Sequence, residues 1–166
     1  SRGLGDVYKR QIIAHALAVI GNTYFGKELD AEHIAMLGIM HDTTEIITGD
    51  LPTPIKYYAP EIRDAYKKVE NVAACQLISE LPEEMQNAYE DILIENDDIN
   101  WKYVKAADKM SAYIKCIEER NTGNTDFAKA EETIKKALDE MHMEEIEKFI
   151  EMFLPAYTKT LDEISK

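Results

Sequence analysis

The sequence predicts an all-α fold, a single bundle of six or seven helices. Three observations carry this expectation. Apolar residues recur at three- and four-residue spacing along most of the chain, which collects them on one face of a helix. No segment of note alternates apolar and polar residues with the two-residue period of a half-buried strand. Clusters of Gly, Pro, Asn and Asp interrupt the apolar stretches where helices would start and stop. There is neither an internal repeat nor a low-complexity tract.

Ser1–Arg10 (SRGLGDVYKR) is Gly-rich and basic, has no apolar period, and reads as a foreign or disordered leader at residues 1–10. The folded domain is expected over residues 11–166. Ile12, Ile13, Ala16, Leu17, Val19 and Ile20 form the stripe of a first helix that should stop at Gly21-Asn22. His15, set among Ile and Ala, reads as a packed core or edge residue. Asp30 is expected to cap the next helix, with His33 in its first turn. Ile34 to Met40 is apolar all round, so that helix should be buried on most sides. Pro60 opens a helix with the stripe Ile62, Ala65, Tyr66, Val69, Val72, Ala73 and Leu77. A shorter helix starts at Leu81-Pro82-Glu83-Glu84 and reaches about Glu95. Trp101–Arg120 carries Ala106, Met110, Tyr113, Ile114 and Ile117, and Asn121-Thr122-Gly123-Asn124 stops it. Two amphipathic segments follow, about Asp126–Glu140 and Glu144–Ile164, with a kink or break at Pro155.

A chain of 166 residues fits one domain with a real core, and 45% hydrophobic against 31% charged residues is an ordinary soluble balance. With 32 acidic and 19 basic side chains the net charge is −13, which argues against a nucleic-acid scaffold. A small phosphorylated substrate stays compatible, because a bound metal supplies local positive charge. Cys75 and Cys116 are isolated from any ligand spacing and read as reduced core thiols of a cytoplasmic protein. No apolar run approaches the ~20 residues of a membrane span, and no signal peptide is expected.

The candidate chemistry sits in His41-Asp42-Thr43-Thr44-Glu45, at the end of the apolar second helix. Imidazole nitrogen and carboxylate oxygen are compatible ligands for first-row divalent metals. Burying Asp42 without a partner is costly, and a metal is one efficient partner. Glu45, one helical turn on, would sit above the same spot, where a carboxylate can take a proton from an attacking water. A His-Asp dipeptide alone is common and unspecific. In Gly49-Asp50-Leu51-Pro52-Thr53-Pro54, the two prolines remove backbone donors and bias Leu51 and Thr53 to extended backbone. This stiff loop reads either as a substrate contact through Asp50 or Thr53, or as a plain connection with Asp50 as a cap. Asp108 lies at the flank of its helix stripe beside the small residues Ala107, Ser111 and Ala112. It reads either as a solvated residue or as one brought to the His41-Asp42 site by close helix approach.

The run HDTTEIITGDLPTP, followed by KAADKMSAYIKCIEE, resembles the HD-domain superfamily, and within it the YfbR-like 5′-deoxynucleotidases. The likeness runs from Ile12 to the C-terminus, through AHALAVIGNTYFG, AEHIAMLGIMHD, GDLPTPIKYY and FLPAYTKTLDEIS. It implies an all-α HD domain that removes phosphate from deoxyribonucleoside 5′-monophosphates with a divalent metal ion, Co, Mn or similar, held by an H…HD…D set. On that resemblance His41, Asp42 and Asp108 are the metal ligands and Glu45 is the catalytic carboxylate. Asp50, Leu51, Pro52 and Thr53 would bind the substrate, with Asp50 near the sugar and no room for a 2′-hydroxyl.

One position departs from the family pattern: Asp6 stands where the first metal histidine is expected, and an upstream Arg-Trp pair has no counterpart. His15 is on the wrong turn to replace it. The resemblance therefore implies an N-terminally shortened member with weaker metal binding and reduced activity. The alternatives are an HD phosphohydrolase acting on another small phosphoester, and a catalytically dead helical domain that binds nucleotides or a protein. The expected partner is a small-molecule deoxynucleoside monophosphate, with neither nucleic acid nor membrane. A homodimer through the C-terminal helices is compatible with the amphipathic pattern.

Overall fold

Ala14, Leu17, Ala18, Tyr103, Ala106, Met110 and Ile114 are withdrawn from solvent, and they come from two long helices packed against each other. The computed structural model describes residues 4–49 and 60–158, which form eight helices and no strand. These are α1 (Leu4–Phe25), α2 (Ala31–Met40), α3 (Glu45–Thr48), α4 (Pro60–Ser79), α5 (Glu83–Leu93), α6 (Ile99–Asn121), α7 (Ala128–Asp139) and α8 (Glu144–Thr158). All but the one-turn α3 are ten residues or longer, so the expected all-α bundle of six or seven helices is what forms. The contacts divide it into two compact units, residues 1–38 with 98–166, and residues 39–97. None of the described helices is long and apolar enough to cross a membrane.

In the first unit α1 and α6 form the central seam, with α7 and α8 closing over it. The α6 stripe is buried as its spacing requires, and Tyr103, Val104, Ala107 and Cys116 widen it. Burial pushes the Cys116 thiol up, whereas Cys75 is exposed and not the core thiol it was expected to be. Asp30 caps α2 as anticipated, its Oδ1 accepting the His33 N–H at 2.9 Å. Helix α6 ends where expected, the Asn124 N–H donating to the Glu119 carbonyl at 3.0 Å. Pro155 lies inside α8 and does not end it.

The first helix departs from the sequence expectation at both ends. It starts at Leu4, so residues 4–10 of the expected leader are helical, and it runs through Gly21-Asn22 to Phe25. Both presumed stop residues serve tertiary contacts. A Cβ on Gly21 would lie 2.9 Å from Glu145 Oε1 and 3.0 Å from Leu29 Cδ1, so only glycine lets these groups approach. The Asn22 amide brackets Leu29, accepting its N–H at 2.7 Å and donating to its carbonyl at 2.9 Å. Ile12 and Val19 were expected in the core but are 67% and 41% exposed, and His15 lies exposed between them. A 100° step puts positions 12, 15 and 19 on one side and 10, 14, 17 and 21 on the other. For the same reason α2 buries only Ile34, Leu37 and Gly38, leaving Met36 and Ile39 exposed, so it is not covered on most sides.

A buried carboxylate pins this unit. Glu145 at the start of α8 is fully buried, and its Oε1 accepts from Lys27 Nζ at 2.5 Å and Tyr103 Oη at 2.6 Å. Burial alone would raise its pKa, but the bonds from Lys27 and Tyr103 outweigh that and hold it below the ordinary carboxylate value. Burial, reinforced by Glu145, pushes the Tyr103 hydroxyl far up. In the second unit α4 packs on α5 through Ala74, Ile78 and Leu93, with Met40 against them. Of the expected α4 stripe, Ala73 is buried, while Ile62, Val69 and Val72 are exposed because the packed face is the one carrying Ala74 and Ile78.

Two outcomes follow from this packing. Ile114→Ala, at a site with no solvent exposure, is expected to cost about 2–5 kcal/mol in urea denaturation. Glu145 is more acidic folded than unfolded, so its contribution to stability is complete above the ordinary glutamate value of 4.5 and lost as pH falls through the lower folded value. The stability gap between the chain and Glu145→Gln, roughly 2 kcal/mol near neutrality, should close in acid. A gap independent of pH would contradict the charged state assigned here.

Candidate metal centre and active site

Helix α2 gives out at Met40, and the next four residues wind more tightly than an α-helix. The Thr43 N–H donates to the Met40 carbonyl at 3.0 Å, the Glu45 N–H to Asp42 at 3.0 Å, and the Ile46 N–H to Thr43 at 3.2 Å. These i→i+3 bonds set Asp42 and Glu45 at the two ends of one hydrogen-bonded turn. His41 Nδ1 lies 2.8 Å from Asp42 Oδ1, and both side chains are about three-quarters buried. When neutral His41 donates from Nδ1, the ring lone pair able to coordinate a cation is on Nε2. Thr44 is buried beneath the turn and Glu45 is half-buried.

Beyond Glu45, α3 makes one turn and ends at Gly49, whose φ of +72° suits glycine. Its N–H closes the turn on the Glu45 carbonyl at 2.9 Å. From α4, the Tyr66 hydroxyl donates to the Gly49 carbonyl and lies 3.2 Å from Thr48 Oγ1. Tyr66 thus holds the backbone one residue before Asp50. The expected substrate residues Asp50, Leu51, Pro52 and Thr53 lie outside the described residues.

Asp108 belongs to the other unit, on α6, where its side chain is 42% exposed. Arg10 Nη1 of α1 reaches its Oδ1 at 3.3 Å, and the Arg10 side chain is only 6% exposed. Lys9, next to it, bonds both carboxylate oxygens of Glu118 at 2.7 and 2.9 Å. The sequence reading passed over Arg10 as the end of a leader and Tyr66 as core. A signal for Arg10 existed, since it shares the buried face of Ala14 and Leu17 at i+4 and i+7.

Thus His41, Asp42 and Glu45 share one turn, and Asp108 is met by a guanidinium. Among the described residues no three His, Cys, Asp or Glu side chains form a group able to hold a metal. The donor chemistry of His41 and Asp42 nevertheless fits a first-row divalent cation, one imidazole nitrogen and one carboxylate side by side. Tyr66→Phe should speed hydrogen exchange at the Gly49 amide by about five- to tenfold, the loss of one hydrogen bond. Unchanged exchange there would show that Tyr66 does not hold this end of the turn.

Comparison with known proteins places this architecture. The family model described as 5′-deoxynucleotidase YfbR-like matches residues 7–157. A 5′-deoxynucleotidase of Vibrio cholerae is 48% identical over 155 residues, covering 92% of this chain and 80% of the relative. One from Photobacterium profundum is 47% identical over 157 residues, with the same coverage of 92% and 80%. The crystal structure of an HD-domain phosphohydrolase from Listeria innocua superposes with a TM-score of 0.78 at 23% identity, over 97% of this chain and 79% of the other, a likeness of fold. With its His41-Asp42 turn and its all-helical frame, the chain belongs to the YfbR-like 5′-deoxynucleotidase family.

Proposed function

We propose that this chain is a metal-dependent phosphohydrolase that removes phosphate from deoxyribonucleoside 5′-monophosphates, weakened by Asp6 at the position of the first metal histidine. The observation that carries this reading is the turn that sets His41, Asp42 and Glu45 together, in a chain 48% identical to a protein named 5′-deoxynucleotidase. His41 and Asp42 would hold the cation, Co, Mn or similar. Asp108 is added as a further ligand on the family pattern. When bound, the cation supplies Lewis acidity toward the phosphoryl oxygens.

The remaining steps fall to the chain's own groups. Glu45 takes a proton from the water that attacks phosphorus, the bond between phosphorus and the 5′-oxygen breaks, and that proton is passed on to the 5′-oxygen, so the deoxynucleoside leaves as its alcohol with inorganic phosphate as the second product. Asp50 to Thr53 would contact the nucleotide and disfavour a ribose 2′-hydroxyl left without a partner. Tyr66, by holding the Gly49 carbonyl, braces the residue before Asp50.

The test is phosphate release from 2′-deoxynucleoside 5′-monophosphates and their ribo counterparts, with Co, Mn, Mg or no added metal. Metal-dependent turnover with deoxy preference is expected, low in the chain as it stands and higher in Asp6→His. Glu45→Gln should lose about 10²–10⁴-fold in kcat. Equal turnover of deoxy and ribo substrates would point to another small phosphoester. Nucleotide binding without turnover in any variant would point to a binding domain.

A further inference from the structure

We propose that the Arg10 guanidinium is a built-in counter-cation for Asp108, which a divalent metal must displace before it can use that carboxylate. The inference rests on the reading of Asp108 as a metal ligand. Arg10 is 5% exposed, and its Nη1 stands 3.3 Å from Asp108 Oδ1 within the α1–α6 seam. Arginine stays protonated throughout the pH range in which proteins fold, so a guanidinium this withdrawn from water needs an anion at all times. Asp108 supplies it.

The backbone of α1 cannot carry Arg10 away. Arg10 shares its helix face with Ala14 and Leu17, both at 0% exposure, and with Gly21, against which Glu145 closes. Turning the helix would expose that face. Only the flexible side chain can move. Asp108, with 42% of its side chain exposed, is accessible to solutes.

A divalent cation on the same carboxylate would lie close to the guanidinium charge, and in a part-buried site that repulsion is only partly screened. Metal and Arg10 therefore compete for Asp108. The pair steadies the metal-free chain and lowers its affinity for metal, independently of the residue at position 6.

Calorimetric titration of Co²⁺ or Mn²⁺, with thermal melts of the metal-free and metal-loaded proteins, tests this on the chain, Arg10→Gln, Arg10→Met and Asp108→Asn. Both Arg10 variants should bind metal about fivefold or more tightly, the gain from removing one competing ion pair. They should also melt lower without metal and gain more in melting temperature from it. Asp108→Asn should weaken binding. If Asp108→Asn weakens binding but the Arg10 variants bind like the parent chain, the counter-cation is overturned and Asp108 stands as a ligand. If Asp108→Asn leaves binding unchanged, the ligand reading fails and the inference falls with it. Should both Arg10 variants fail to fold, the Arg10 Nε–H resonance of the parent chain decides: it must shift under saturating Mg²⁺, and an unmoved resonance overturns the proposal.

Discussion

The packing of α1 against α6 is the constraint on which the first unit depends. Ala14, Leu17 and Ala18 on one side and Ala106, Ala107 and Met110 on the other have essentially no contact with water. Small residues on both helices let the backbones come close, and every polar group caught in the seam must then find a partner there. Arg10 with Asp108, and beside the seam Tyr103 with Glu145, are two answers to that demand, although Glu145 Oε2 is buried with no hydrogen-bond partner among the described residues.

These two polar pins do different work. Glu145 joins α8 to α6 and to the connection after α1, with Gly21 clearing the space for its carboxylate. It is a structural charge, held ionised by the donors around it in spite of its burial. The Arg10 pair sits at a half-exposed carboxylate that we propose as a metal ligand, and on that proposal the same burial that stabilises the seam would also bear on the chemistry.

The second unit handles its candidate residues by local winding. Successive i→i+3 bonds gather Asp42 and Glu45 into one turn, and the adjacent His41 ring is steered by its contact with the Asp42 carboxylate. Tyr66 then ties the end of α3 to α4. The donors of this turn are therefore arranged by short-range hydrogen bonds and one side-chain brace.

By itself the sequence determined the helical class, the buried stripe of α6, the Asp30 cap and the donor types gathered in the His41–Glu45 turn. These are local properties: a stripe follows from a 3.6-residue period, and a cap or turn from bonds spanning three or four residues. Tertiary structure alone decided that Gly21 and Asn22 serve contacts inside and after a continuing helix. It also decided that Ile12 and Val19 face water, that α4 buries the face of Ala74 and Ile78, and that Arg10 meets Asp108 from far along the chain. A period tells which residues share a face but not which of two apolar faces will be covered. A charge's partner depends on which helices lie side by side, and that is settled only when the core closes.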